Sequence, residues 1–455
     1  MKRTFEYAAL TLVIASITLV WVATMSEPAH LKWSTWAYSE WRISYDAGFI
    51  RRGLGGWVID RLTNRFSGSG DSLIAVNYLV FLNYVLLYAV FLVLWLRSRA
   101  RSVIALTLAI LIPGGLFQMA LGNAYFFRKE IIFHVVLGID CMLYGAIVKA
   151  RLETQKVRLA LAFFALLFVQ GAILPLVHES YLFMSFPAAW LLARSIASGL
   201  PGQKRFARFT WAAVVLQVVM FAICAKFKGS EQVVAHMWSL LGPVDRARIS
   251  PETPGVVTGG MEAIGWTVMN NLGGVLHIFT SGQFWIWGFA GAGTAAVLLL
   301  LTLCNTRERG AHAPLDEAPT SDLDTVRWHL AKLAFLFVTC GPMFVLGVDW
   351  GRWISSVTIC YLFLMFVDDA RLIAPPDLLA AVPKRWKPKV DAARHFVLYD
   401  ALGVVRGTTA RHRKALLLLA LLFCLSFRTP ECCLSMGFSP FHRLKPILTE
   451  LVHMP

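Results

Sequence analysis

Runs of about twenty apolar residues recur along this chain, and they constrain its fold more than any other feature. A run of that length is what an α-helix needs to cross the hydrocarbon core of a bilayer. Inside lipid, only helices and closed barrels satisfy every backbone hydrogen bond. The sequence lacks the ten-residue alternating segments of a barrel, and only 15% of its residues are charged, against roughly 25% in a soluble domain. We therefore predict an all-α, polytopic transmembrane helical bundle.

The apolar runs alternate with charged segments and predict about 11 spans in one domain covering 1–455. The first span, 7–23, follows a basic start without a good signal-peptide cleavage site, so we expect it to be retained. The segment 261–280 is rich in Gly and Asn and is predicted to be interfacial or re-entrant. The remaining spans are expected near 73–96, 103–121, 131–148, 159–176, 181–193, 209–225, 283–304, 329–347, 354–367 and 415–427.

Basic residues are distributed unequally between the two sides of this map. The side of the N-terminus holds 26 Lys and Arg with 12 acids, and the opposite side holds 16 with 14 acids. Because cytoplasmic loops are enriched in Lys and Arg, the N-terminus is predicted to be cytoplasmic and the C-terminus exported. The exported side then has two long loops, 25–72 and 226–282, and several very short ones, and the cytoplasmic loops include 305–328 and 368–414. The net charge of +16 thus reflects topology and contact with anionic lipid, not nucleic acid binding.

Four polar clusters fall in loops that this topology places on the exported side. Ionisable residues near or inside a membrane are costly, and they mark functional sites by default. The clusters are Tyr45-Asp46-Ala47-Gly48-Phe49 with Arg51-Arg52, then Phe127-Arg128-Lys129-Glu130 with His134 one turn further, His178-Glu179, and Asp349-Trp350-Gly351-Arg352-Trp353. After Arg52 the apolar periodicity indicates a helix lying on the membrane, with Trp33, Trp36, Tyr38, Trp41 and Trp57 at the interface.

A structural interpretation is open for each cluster. The paired arginines 51 and 52 suit anchors at lipid headgroups, and Asp349 with Arg352 has the spacing of a local salt bridge. His178 and Glu179 are compatible with ordinary loop ends. Four such clusters on one face, far apart in sequence, favour a common site instead.

Guanidinium and ammonium groups suit phosphate oxygens, and carboxylates can act as a general base or position a hydroxyl. A polyprenyl-phosphate-linked sugar combines a phosphate at headgroup depth, an apolar tail and a group to transfer. Membrane lipid and such a lipid-linked sugar or oligosaccharide are therefore the predicted partners.

The arrangement resembles the GT-C superfamily of polytopic glycosyltransferases, which includes polysaccharide polymerases. The first exported loop with Asp46, the basic motif at Arg128 and Lys129, and the motif from Asp349 to Trp353 carry the resemblance. It implies a GT-C-like fold and glycan synthesis on the exported face of a bacterial inner membrane. Many members carry two adjacent or nearly adjacent acids in this loop, whereas here Ala47 and Gly48 follow Asp46, which does not support a divalent metal, and no cofactor is expected. The acceptor motif of oligosaccharyltransferases is missing, which argues against protein N-glycosylation.

On this interpretation, Asp46 deprotonates or orients the acceptor hydroxyl, and His178 with Glu179 forms a second acid–base or sugar-binding element. The cations hold the leaving phosphate and stabilise its developing charge. The predicted phosphate-binding residues are Arg51, Arg52, Arg128, Lys129 and Arg352, supported by Glu130, His134 and Asp349, with no metal ligand.

A transporter or flippase of lipid-linked sugars is the alternative, since charged residues in membranes also mark translocation paths. Broken helices near the midplane are typical of transporters. The best candidate break is Gly114-Gly115 after Pro113, and the next is the run from Gly288 to Gly293. Convergence of the polar clusters at one end of the bundle would favour an enzyme, and a path through the bundle would favour transport. Within the enzyme class, the sequence leaves a single-sugar transferase and a polymerase both open.

Overall fold

The computed structural model describes residues 35–66, 72–98, 103–116, 119, 127–249, 259–310, 322–367, 373, 388–389, 402–427 and 429. Every regular element within these ranges is helical. The helices are α1 (Thr35–Trp41), α2 (Gly53–Phe66), α3 (Ser72–Arg97), α4 (Val103–Leu111), α5 (Glu130–Lys149), α6 (Glu153–Val177), α7 (Tyr181–Met184), α8 (Phe186–Ser198), α9 (Gln203–Lys226), α10 (Glu231–Leu240), α11 (Pro243–Ile249), α12 (Gly259–Glu262), α13 (Val268–Thr280), α14 (Phe284–Gly310), α15 (Asp322–Leu346), α16 (Trp350–Val367) and α17 (Leu402–Ser426), with 3₁₀ turns at Tyr45–Ala47 and Ala263–Gly265.

Seven helices of the described ranges are long and apolar enough to cross a membrane. The all-helical prediction is confirmed, and each of the seven matches a span predicted from sequence. They are Ser72–Arg97, Glu130–Lys149, Glu153–Val177, Gln203–Lys226, Phe284–Leu303, Val326–Leu346 and Trp350–Val367. The predicted first span, 7–23, lies outside the described residues.

Three predicted spans are not among these seven candidate spans. In the predicted span 103–121, α4 ends at Leu111 and the chain turns at Gly114, whose φ of 74° suits glycine. The span 181–193 consists of α7 and α8, which meet at Ser185. Near 415–427 the apolar part of α17 covers only Lys414–Ser426. The break at Gly114 was predicted, whereas α14 runs through the glycines at 288–293 without interruption.

Helix α16 lies at the centre of the bundle. Of its apolar window 94% is buried, against 22% for α9, which exposes Trp211 and Val215 on its outer face. Gly138 of α5 makes the close packing around α16 possible, since a Cβ there would meet Val90 of α3 and Phe363 of α16. Small residues at helix contacts allow backbones to approach in this way.

The loops 25–72 and 226–282, predicted to be exported, are largely helical where they are described. A helix is expected after Arg52, and α2 begins there at Gly53. The segment 261–280 contains α13, which has 13 residues and is too short to span, as predicted. Trp57 is exposed as an interface residue would be, but Tyr38 and Trp41 are buried in the core, which corrects their prediction as interface residues.

The two loops predicted to be cytoplasmic are described only in part. In 305–328, α14 continues to Gly310 and α15 begins at Asp322, so the predicted loop is shorter than expected on both sides. Most of 368–414 lies outside the described residues.

Candidate functional site

The four loops predicted to be exported meet at one end of the bundle, where they form a single charged network. It lies where α5 and α16 begin and where α6 ends. Ion pairs connect all four loops, because each loop supplies at least one arginine or acid to another. The members of this charge network are Glu40, Arg51, Arg52, Arg128, Lys129, Glu130, His178, Glu179, Asp349 and Arg352.

Glu40 of α1 lies between arginines of two loops and is 1% exposed. Its Oε1 is 3.5 Å from Arg52 Nη1, and its Oε2 is 3.3 Å from Arg128 Nη1. Burial alone would raise the pKa of Glu40, but Arg128, Arg352 and Arg52 outweigh it and lower the pKa to about 2. Glu40 is therefore an ionised carboxylate in a buried position.

Glu179 holds the two arginines of the first loop. Arg52 donates to both carboxylate oxygens, with Nη2 2.6 Å from Oε1 and Nε 2.9 Å from Oε2. Arg51 Nη1 donates to Oε1 at 3.3 Å, and its Nη2 donates to the Ile264 carbonyl at 3.2 Å. Burial raises the pKa of Glu179, yet Arg52 more than offsets this, so the pKa lies well below its ordinary value. A two-point pair of this kind fixes orientation as well as charge.

Arg352 is the arginine of the central helix, and it joins the network through Glu130. Its Nη1 donates to Glu130 Oε1 at 2.6 Å, and its Nη2 donates to Asp349. Arg352 is 9% exposed and Glu130 is 4% exposed. Asp349 and Arg352 thus form the local pair expected from their spacing, but the arginine also reaches a second loop.

His178 lies beside this pair as a neutral imidazole. The backbone N–H of Ser180 donates to its Nδ1 at 3.2 Å, which places the ring proton on Nε2, 3.9 Å from Glu130 Oε1. Burial, and secondly the charge of Arg52, lower the pKa of His178 to about 4. At neutral pH the side chain is therefore an uncharged imidazole near a carboxylate, and its buried Nε2 makes no hydrogen bond within the described structure.

Lys129 is fully buried beneath the start of α2. Its Nζ donates to the carbonyl of Arg52 at 3.1 Å and lies 5.4 Å from the centre of the Trp41 ring. Burial lowers the pKa of Lys129 to about 8. Gly55 makes room for this ammonium group, because a Cβ at that position would lie 3.0 Å from Nζ.

The backbone of Arg52 has a φ of 64°, a left-handed conformation that costs a non-glycine residue energy. This conformation lets Arg52 point its carbonyl at Lys129 and its guanidinium at Glu179. The turn before α2 is thus held from both sides by charged groups of other loops.

Asp46 is not brought into the charge network. It is exposed in the 3₁₀ turn and accepts a hydrogen bond from the Ser44 hydroxyl at 2.9 Å. No ion pair joins it to another residue within the described ranges. Asp46 therefore lies in the exposed turn, apart from the clustered cations.

His134 and Asp140 lie deeper, along α5. The His134 Nδ1 is 3.4 Å from the Ser185 hydroxyl at the break between α7 and α8. Asp140 accepts a hydrogen bond from Gln170 at 2.8 Å, and Gln170 in turn accepts one from Tyr181 at 3.2 Å. These groups extend polarity from the network into the bundle.

Glu40 is the network residue that sequence reasoning missed. It stands in a segment of aromatic residues that suggested an interface, and nothing in its spacing indicates the arginines that it faces. The available signal was an acid next to Trp41 in a loop predicted to contain Arg51 and Arg52.

A second buried ion group was also not predicted. Arg42 pairs with Asp60 at 2.5 Å and with Asp245 at 3.2 Å. Tyr38 and Ser72 donate to Asp245 at 2.8 and 2.9 Å. This group fastens α11 to the first loop and supports the position of Glu40 two residues away from both Tyr38 and Arg42.

Among the described residues, no group of three or more His, Cys, Asp or Glu side chains is arranged to hold a metal ion. The acids of the charge network are instead paired with arginines. Its chemistry is that of a cationic site with embedded carboxylates.

A family model described as "Uncharacterised membrane protein Rv1490" matches residues 5–242, more than half of the 455 residues. The chain belongs to this family. It is accordingly a membrane protein, in agreement with its seven candidate spans. Neither a curated protein nor a solved structure matches the chain significantly.

The matched region includes every member of the charge network except Asp349 and Arg352. Glu40 and the loops at 51–52, 128–130 and 178–179 are thus part of the family region, and the central helix α16 adds its arginine from outside it.

Proposed function

We propose that the protein is a membrane glycosyltransferase or polysaccharide polymerase that uses a polyprenyl-(di)phosphate-linked sugar. The observation that carries the proposal is the convergence of five cationic side chains from three loops at one end of the bundle. Four acids accompany them and His178 is neutral, so the charge network keeps one excess positive charge. A phosphate at headgroup depth, with its apolar tail between helices, is the ligand class that complements such a site.

The cations would act on the leaving group. In direct displacement, the acceptor oxygen bonds to the anomeric carbon, the bond from that carbon to the phosphate oxygen breaks, and the lipid phosphate leaves with the electron pair. Arg128 and Arg352 would stabilise this developing charge, since a preorganised buried cation is worth more than one in water.

The acceptor proton requires a carboxylate. Arginines lower the pKa of Glu40 to about 2 and that of Glu179 well below its ordinary range, which makes both weak bases. Asp46 is exposed and free of an ion pair among the described residues, so we assign it to orienting or deprotonating the acceptor hydroxyl. The acceptor would then have to extend from the exposed turn to the cations.

The resemblance to GT-C enzymes supports the same class, with the charged end facing the exported side of a bacterial inner membrane. It also implies a GT-C-like fold with about eleven spans, and the described residues contain seven candidate spans.

The test is transfer from a polyprenyl-phosphate-linked sugar by the purified full-length protein in nanodiscs. Arg128→Ala should weaken binding of polyprenyl phosphate by about tenfold or more, because a charge-assisted contact is lost. Arg61→Ala is the matched control, since Arg61 is exposed on α2 over the ring of Trp57. Unchanged affinity in Arg128→Ala would remove the phosphate-binding role.

Asp46→Asn separates the acceptor role from phosphate binding. We expect transfer to fall while polyprenyl phosphate binds as before, since no ion pair joins the carboxylate to the network within the described ranges. Full transfer by this variant would exclude Asp46 as the base. Glycan size analysis after gene deletion then distinguishes the two enzyme types, since loss of long chains with single repeats retained indicates a polymerase.

A transporter of lipid-linked sugars is the second candidate, and the polar groups inside the bundle favour it. Asp140, Gln170 and Tyr181 form a buried hydrogen-bonded chain within the spans. Movement of a fluorescent lipid-linked sugar between leaflets without glycosyl transfer would establish transport and exclude the enzyme.

A further inference from the structure

Glu40 occupies the position that an anionic ligand of the charge network would take. Its carboxylate is flanked by Arg52 at 3.5 Å and Arg128 at 3.3 Å, and Arg352 adds its charge from the central helix. Guanidinium groups of two loops thus lie within 3.5 Å of one carboxylate, and the third guanidinium group, on α16, is hydrogen-bonded to Glu130 and Asp349. These three arginines together carry more N–H donors than a single carboxylate can accept.

The hydrogen bonding of Glu40 is incomplete. Its Oε2 is buried and accepts no hydrogen bond within the described structure, although Arg128 is close enough for an ion pair. Glu179, in contrast, takes three hydrogen bonds from Arg52 and one from Arg51. Glu40 therefore lies close to opposite charges, but its hydrogen bonding is incomplete. A buried carboxylate oxygen without a hydrogen bond costs free energy.

The stem of Glu40 is held from behind by the short helix α12. Gly260 packs so closely on Cγ of Glu40 that a Cβ there would clash, and its N–H donates to the Ser39 hydroxyl at 2.7 Å. This contact presses the carboxylate towards the arginines.

From these observations we propose that Arg52, Arg128 and Arg352 form a phosphate site and that Glu40 is its resident counter-ion. When a phosphate binds, its oxygens replace the carboxylate of Glu40 as the partner of these arginines. This inference rests on the proposed function for the identity of the ligand, but it makes a separate claim. Glu40 competes with the ligand, so removing its charge should strengthen phosphate binding, whereas removing an arginine weakens it.

The experiment measures binding of inorganic phosphate, inorganic pyrophosphate and undecaprenyl phosphate to the purified full-length protein. We expect Glu40→Gln to bind each phosphate probe about tenfold more tightly than the unaltered protein. Glu262→Gln, an exposed acid on the same α12 that packs against Glu40, is the matched control and should leave affinity unchanged. Equal or weaker affinity in folded Glu40→Gln overturns the proposal.

Two further arms keep the outcome decisive if Glu40→Gln folds poorly. Glu40→Asp retains the charge but withdraws it by one methylene, and it should bind pyrophosphate with intermediate affinity. Pyrophosphate or undecaprenyl phosphate should also raise the melting temperature of the unaltered protein, and absence of protection by both overturns the proposal by itself. Binding of undecaprenyl phosphate alone identifies a lipid as the source of the phosphate, while equal binding of the free anions identifies the phosphate group as sufficient.

Glycosyl transfer measured in parallel separates this inference from the proposed function. If Glu40→Gln binds phosphate more tightly but the unaltered protein transfers no sugar, the counter-ion role is upheld and the enzyme is refuted. Transfer activity with unaltered phosphate affinity in Glu40→Gln would uphold the enzyme and refute the counter-ion.

Discussion

The stability of this protein should depend on pH through His178. Burial, and secondly Arg52, lower its pKa from the ordinary 6.5 to about 4. Between those values the unfolded chain binds a proton that the folded protein does not, so the free energy of unfolding falls as the pH falls. Above pH 6.5 the imidazole is neutral in both states and the effect vanishes.

The size of this effect follows from the two pKa values. One pKa unit corresponds to about 1.4 kcal/mol, so between pH 7 and pH 4.5 His178 should remove about 2 to 3 kcal/mol of stability. The window ends there because below pH 4.5 the unfolded chain also protonates Glu40, whose pKa is about 2 in the folded protein, so the stability contributed by that carboxylate then falls as well. The charged groups around the imidazole are Arg52, Glu179, Glu130 and Glu40. Their effect enters this free energy only through the pKa of His178.

The assay is unfolding by dodecyl sulfate in mixed micelles, followed at each pH for the unaltered protein and for His178→Asn. The asparagine oxygen can still accept from Ser180, but it does not titrate. His178→Asn should therefore lose about 2 to 3 kcal/mol less between pH 7 and pH 4.5. His236→Asn, at an exposed histidine of α10, should follow the unaltered protein. Parallel profiles for the unaltered protein and His178→Asn would refute a neutral buried imidazole.

Two further predictions concern packing beneath the charge network. Gly55→Val should cost about 1 to 3 kcal/mol through overpacking, because its Cβ would lie 3.0 Å from Lys129 Nζ. Gly265→Ala, where a Cβ meets nothing within 4 Å, is its control, and equal melting temperatures would contradict the clash. Tyr38→Phe should cost about 1 to 3 kcal/mol by removing a buried hydrogen bond to Asp245. An unchanged free energy of unfolding for that variant would mean that the bond is not formed.

The helical fold and the convergence of the loops were predictable from sequence for one physical reason. Spans cross a bilayer alternately, so the residues between alternate pairs of spans must gather at the same end. Arg128 and Glu179 could therefore be placed near each other without knowledge of any contact. The ends of helices were less predictable, although the break at Ser185 has a local signal, because Pro187 stands at the start of α8 and cannot continue the hydrogen bonding of α7.

Glu40 and Asp46 show where the sequence stopped being informative. Both are acids of the first loop, six residues apart, and the motif favoured Asp46 as the acid of the site. The structure buries Glu40 among arginines and leaves Asp46 exposed. The difference arises from α1, which turns Glu40 inward with Trp41, whereas the 3₁₀ turn ends at Gly48 and carries Asp46 outward. No pattern within the loop encodes which acid meets residues from another loop.

Stability alone gives a poor account of the charge network. Removing several ions from water costs several kcal/mol for each, and replacing buried ion pairs by apolar residues is often neutral or stabilising. The network nevertheless keeps a left-handed arginine, a fully buried lysine and a carboxylate oxygen without a hydrogen bond. Each of these three features lowers stability, and all three belong to the charge network. A site that binds a phosphate would regain this free energy when the ligand arrives, since the oxygens of the ligand complete the contacts that Glu40 leaves open. The costs at Arg52, Lys129 and Glu40 are what a preorganised anion site would incur, and they make this end of the bundle the place to test for phosphate binding.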